Sequence, residues 1–169
     1  MNEEKYNLCV EKISENFSDE VKKINLEDNS SSFENFISPF NGLTDDEIED
    51  VLEKQINEKL KSMVKISKEK KISDEEFKKY YRLFDDMSDS FLDKNVDYGL
   101  VEEADRIADN LFRISAGYKG RKIDYPVKLK YIKEYSIECI YSYDDIKTIL
   151  YYILLELSIF DYVLNNVSI

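Results

Sequence analysis

Tyr143 to Leu164 reads YDDIKTILYYILLELSIFDYVL. Ile146, Ile149, Leu150, Ile153, Leu154, Leu157, Phe160, Tyr162, Val163 and Leu164 recur at helical spacing, and Tyr151, Tyr152, Leu155 and Ile159 fill the other side. A helix that is apolar nearly all round has to be surrounded by protein or by lipid. Lipid is disfavoured because Glu156 and Asp161 fall inside the only run long enough to span, and an acid at mid-bilayer costs roughly 2.5–3.5 kcal/mol. The stretch therefore predicts a central core helix about 30 Å long, capped by Ser142 or Asp144, with the rest of the chain as its wrapping.

Upstream, Tyr6, Val10, Ile13, Phe17, Val21 and Ile24 form one amphipathic stripe that ends at Asn29–Ser32. Phe33, Phe36, Ile37 and Phe40 read as a hydrophobic plug beneath the loop punctuated by Pro39 and Asn41-Gly42. A helix then opens with Thr44 as cap, Glu47 closing a capping box and Leu43 stapling to Ile48; its stripe is Ile48, Val51, Leu52, Ile56, Leu60 and Met63. The basic run Lys65 to Lys71 suits its C-terminus. Ser73, Glu76, Ile72 and Phe77 repeat the device for a helix carrying Tyr80, Tyr81, Phe84, Met87 and Phe91. Another follows with Leu100, Val101, Ala104, Ile107, Ala108, Leu111 and Phe112, stopping at Gly117. Residues 121–141 alternate apolar and polar like an edge hairpin, yet Pro126 also fits a first helical turn, so both readings stand. The expected architecture is a mainly α single domain over 1–169, a bundle of five or six helices around the C-terminal one, with room for a small hairpin near 121–141.

Composition removes whole classes of function. The chain has 169 residues, no histidine and four glycines. Zinc sites of the Cys/His kind, histidine-based nucleophile systems, P-loops and GxGxxG turns are thereby excluded. Cys9 and Cys139 are far apart in sequence, and Met1-Asn-Glu-Glu lacks the features of a secretory leader, so a reduced, cytoplasmic setting is expected. Frequent Lys, Ile, Asn and Tyr suggest an AT-rich microbial or viral source. The net charge of −12 argues against nucleic acid or an anionic membrane as ligand and favours a basic protein partner or simple solubility.

Three constellations invite a chemical reading. Asp93-Lys-Asn95-Val-Asp97-Tyr98-Gly99 imitates a calcium loop, but Tyr98 stands where glycine is required and Ala104 where a bidentate acid is required. Glu102, Glu103, Asp105 and Asp109 include helix-face pairs suited to magnesium, and Val101 to Asp109 resembles the acidic second motif of all-helical nucleotide pyrophosphohydrolases. That resemblance implies a magnesium-dependent enzyme whose earlier acidic pair would have to be Asp86 with Asp89, aspartates in place of glutamates. The third constellation is electrostatic. Residues 1–60 hold 16 acids against 6 bases and residues 61–135 hold 15 against 17, so charge is segregated along the chain. Asp45, Asp46, Glu47, Glu49, Asp50 and Glu53 put six acids and no base into one short stretch, with Asp46, Glu49, Asp50 and Glu53 on a common face. Acids in a first helical turn are favoured by the dipole in any case, so a solvated face is the competing reading.

The functional expectation is a non-enzymatic acidic protein that inhibits or masks a basic protein partner, in the manner of immunity proteins or phage inhibitors of nucleic-acid machinery. Its partner-binding residues would be Asp46, Glu49, Asp50 and Glu53, with no metal and no cofactor. The alternatives are the magnesium enzyme on Glu102, Glu103, Asp105 and Asp109, and a structural subunit that oligomerises through its C-terminal helix. The tyrosines between Tyr118 and Tyr143, interleaved with Lys and Arg, form a secondary candidate surface.

Overall fold

The computed structural model describes residues 33–91, 97–115 and 141–167, together with 3–4, 7–8, 11 and 130. The described residues are mainly helical and include no strand. A short helix α1 (Phe33–Ile37) runs into a 3-10 turn at Ser38–Phe40, followed by α2 (Asp45–Lys70), α3 (Asp74–Phe91), α4 (Tyr98–Ser115) and α5 (Tyr143–Asn166). No described helix is long and apolar enough to cross a membrane. The stripe from Tyr6 to Ile24, the helix-or-hairpin segment apart from Lys130 and Tyr141, the Gly117 stop, both cysteines and most of the tyrosine-rich segment lie outside the described residues.

Local chemistry sets the helix starts. The Thr44 hydroxyl accepts from the Glu47 N–H at 3.3 Å while the Thr44 N–H donates to Glu47 Oε1 at 3.1 Å, the reciprocal box predicted. Ser73 accepts from the Glu76 N–H at 3.2 Å. At α5 the cap is Ser142 rather than Asp144, and Asp145 closes the box. Gly42 adopts φ +84° in the turn before α2, where a side chain would be strained. Lys71 ends α2 in a left-handed conformation, φ 50°.

α5 is the hub. Every residue from Ile149 to Phe160 is buried, and α2, α3 and α4 all pack on it. Phe160 marks the centre of one aromatic cluster: its ring stacks on Phe112 with centroids 4.3 Å apart and meets Phe84 at 5.6 Å and Phe77 at 5.7 Å. A second cluster covers the other half of α5. Phe36 and Phe40 are buried, and the rings of Phe33 and Phe40 contact Tyr152 and Tyr151 at 4.3 and 5.0 Å. The aromatic plug thus seals α5.

Cross-helix contacts fix the directions. Asp45 pairs with Lys147 at 2.9 Å near the start of both helices. Ser62 and Lys59 reach Asp161, and Lys70 donates to the Leu164 carbonyl near their ends. Hence α2 and α5 run parallel. Asp105 lies opposite Glu156 and Phe112 opposite Phe160, so α4 is parallel to them as well. α3 runs against all three, returning from the short turn at Lys71–Ser73.

Candidate functional site

Two acidic regions emerge from this topology. The first sits where α2 and α5 begin side by side. Asp45, Asp46, Glu47, Glu49, Asp50 and Glu53 come from α2, and Asp144 and Asp145 from the first turn of α5. Of the four residues singled out in the sequence, Asp46 is exposed, whereas Glu49, Asp50 and Glu53 are half-buried. The four keep their common helix face, but Glu49 reaches toward the neighbouring helix. The Tyr143 hydroxyl donates to Glu49 Oε1 at 2.5 Å, and that bond, with burial and the charges of Glu49, Asp45 and Asp46, pushes the phenol well above its ordinary range. Asp50 pairs with Lys54 at 3.1 Å. Lys147 lies 2.9 Å from Asp45 and 3.9 Å from Asp144. Among the described residues, Lys54 and Lys147 are the bases shown pairing with these eight acids, which leaves this part of the surface acidic.

The second region was not visible as a unit in the sequence. α3 contributes Asp85 and Asp89, α4 contributes Asp105 and Asp109, and α5 contributes Glu156. Glu156 is 4% exposed. Its carboxyl is pushed well above the usual range, first by burial, then by a hydrogen bond with Asp105, then by the charges of Asp105, Asp85 and Asp109. The same field acts on the neighbours: Tyr81 is raised to about 12 by burial and by Asp109, Asp85, Asp105 and Glu156. Asp89 is raised by burial and by Asp85, Asp86 and Asp105. A buried acid surrounded by acids keeps its proton to higher pH than an isolated one.

The acids proposed for magnesium chemistry are only partly brought together. Asp105 faces Glu156, but Glu103 is held by Arg106 at 2.6 Å and Asp109 by Arg113 at 2.9 Å, while Glu102 is exposed. Asp86 is exposed on α3. In the calcium-like loop, Asp97 caps α4 instead, its Oδ1 accepting from the N–H groups of Gly99 at 2.9 Å and Leu100 at 3.4 Å; Asp93 to Val96 lie outside the described residues. Among the described residues, no three His, Cys, Asp or Glu side chains form a ready-made set of metal ligands.

Comparison of the chain with family models, with curated proteins and with solved structures finds no match. What defines the protein is therefore its own geometry: a mainly helical chain with one acidic region at the shared start of two parallel helices and another built around a buried glutamate.

Proposed function

We propose that this protein, as one helical domain of five or six helices acting in the cytoplasm, is a non-enzymatic binding protein that inhibits or masks a basic protein partner, as immunity proteins and phage inhibitors do. The observation that carries this reading is the parallel placement of α2 and α5. It adds Asp144 and Asp145 to the acids of α2, so a charge density already high along one helix becomes a two-helix surface. Asp46, Glu49, Asp50 and Glu53 form its α2 side. Such a surface acts mainly through association rate and salt dependence.

The test replaces Asp46, Glu49, Asp50 and Glu53 together with lysine, after affinity capture has supplied a partner. Association rates for wild type and variant are then compared across about 0.05 to 0.5 M salt, where the Debye length falls from roughly 14 to 4 Å. The expected result is slower association and a flatter salt response in the variant, with the helical circular dichroism signal unchanged. Equal rates and equal slopes would show that this surface is only solvated.

A further inference from the structure

A cavity of about 180 Å³ opens between the first half of α3 and the last turn of α4. The described residues that line it are Phe77, Lys78, Tyr81 and Arg82 of α3 and Arg113 of α4. Three cations and no acid therefore meet at one small cavity, in a chain whose acids outnumber its bases 36 to 24. Arg113 is anchored: its Nε is bound to Asp109 at 2.9 Å, and its guanidinium lies 5.9 Å from the centre of the Phe77 ring. Lys78 and Arg82 differ from it. Both are exposed, and among the described residues neither forms an ion pair. They stand four residues apart on one helix, a spacing at which like charges are neighbours and repel.

The rest of the lining is aromatic. Phe77 and Tyr81 sit one turn apart on α3, with ring centroids separated by 6.3 Å and planes inclined by 29°. Phe77 is buried and Tyr81 half-buried, so packing fixes both rings while the two unpaired cations stay at the solvent side. The acids whose charges act on the Tyr81 phenol, Asp109, Asp85, Asp105 and Glu156, do not line the cavity. Flat apolar groups pack against such rings, and a guanidinium fork matches a carboxylate or a phosphate. The volume is below the roughly 300 Å³ at which pockets for drug-sized ligands begin, which limits the occupant to a single ring with its charged group. We propose that this cavity binds a small flat organic anion, an aryl carboxylate or aryl phosphate, with its ring against Phe77 and Tyr81 and its charge held by Lys78 and Arg82. This site is independent of the acidic surface on α2 and α5 and shares no residue with it.

The full-length protein is titrated into para-fluorobenzoate and into para-fluorophenyl phosphate at neutral pH and constant ionic strength, following the fluorine NMR line of each. At least one of the two binds saturably, one per chain, with a dissociation constant of roughly 0.1–3 mM, the range that about ten heavy atoms support. Whichever binds more tightly tells carboxylate from phosphate recognition. Two partial mimics, para-fluorobenzyl alcohol with the ring but no charge and inorganic phosphate with the charge but no ring, each bind at least about tenfold more weakly. Lys78→Gln and Arg82→Gln each weaken binding about threefold, and the double variant at least about tenfold. Tyr81→Leu, which keeps apolar bulk but removes the flat face, weakens it as well. Lys61→Gln, an exposed change on α2, leaves it intact. Three results overturn the proposal: no saturable binding of either aryl anion, unchanged affinity in the Lys78→Gln, Arg82→Gln double variant, or equally tight binding of the neutral alcohol, which would make the cavity a plain apolar dimple. Because Lys78 and Arg82 are exposed, their variants keep the wild-type melting curve, and a loss of binding is read free of any loss of fold.

Discussion

Glu156 and Asp161 stand five residues apart on the same helix, yet they meet different surroundings. Asp161 faces α2, where Ser62 donates to it at 2.7 Å and Lys59 approaches to 3.8 Å, and Asn165, one turn on along α5, donates at 3.1 Å. Burial raises its pKa, and Ser62, Lys59 and Asn165 all pull it back. Glu156 faces α3 and α4, where burial and Asp105, Asp85 and Asp109 all push in one direction. The lesson is that the cost of an acid on a buried helix is decided by the neighbouring helix's side chains, not by the acid's own hydropathy. One acid is stabilised by donors, and the other keeps its proton to higher pH.

The comparison is broken most severely by placing an acid where neither kind of neighbour exists. Leu154 is 0% exposed, and Leu154→Asp should unfold the protein, costing more than about 4 kcal/mol through lost packing and an unpaired buried charge. Loss of the cooperative thermal transition is the expected readout. A retained melting temperature with a change from oligomer to monomer in light scattering would mean that α5 is an interface instead of a core.

A smaller effect of opposite sign is expected at Glu156. Its folded pKa is raised, so between the unfolded value near 4.5 and the folded one the native state binds more protons, and stability falls as pH rises. Burial is the first cause, followed by Asp105 on α4, Asp85 on α3 and Asp109 on α4, the last neutralised in part by Arg113. Glu156→Gln removes the charge and gives Asp105 a donor. Urea unfolding in EDTA should show the variant more stable than wild type by about 1–3 kcal/mol at pH 8, with the gain vanishing at pH 4. A variant less stable at pH 8 would reverse the assignment of Glu156 as the unsatisfied acid.

At Asp161 the sign changes again. Ser62→Ala removes its shortest hydrogen bond and should cost about 1 kcal/mol at pH 7, and less at acid pH as the carboxyl takes up its proton. Unfolding curves at the two pH values decide whether the donors matter. Smallest of all, Lys147→Ala loses an ion pair with Asp45, whose side chain is 57% exposed, and should change stability by only about 0.5 kcal/mol, disappearing in 0.5 M salt.

How much of this was legible in the sequence varies from element to element. The start of α2 was written in the Thr44-x-x-Glu47 box and that of α3 in Ser73, whose hydroxyl accepts from the Glu76 N–H, because helix caps are short-range devices. The burial of α5 was legible from its all-round apolar surface. The acidic α2 surface could be named residue by residue, but its junction with Asp144 and Asp145 depends on α2 and α5 running parallel, which no local pattern encodes. The Glu156 region was legible only in pieces: Asp89, Asp105 and Asp109 were named for magnesium, but Glu156 and Asp85 were not joined to them, since the region draws on three helices whose mutual register is set by contacts such as Phe112 on Phe160. One signal was available. A glutamate in the middle of a helix that must be wholly surrounded has to be satisfied by something, and Glu156 served only as an argument against lipid.

The common direction of α2, α4 and α5, with only α3 among the long described helices opposed, also bears on how the described bundle responds to an electric field. Antiparallel neighbours cancel one another's peptide dipoles, but three against one leaves a resultant along the bundle axis. The acids at the starts of α2 and α5 and the lysines toward the end of α2, Lys65, Lys68, Lys70 and Lys71, lie along that same axis with opposite sense. Their fixed charges outweigh the partial charges of the peptide groups, and Asp74, Glu75 and Glu76 at the start of α3 offset the lysines at the far end, so the end where α2 and α5 begin is the more negative end of the described bundle. In the field of a cationic surface the described bundle would experience a torque that turns this end, with Asp46 and its neighbours, forward.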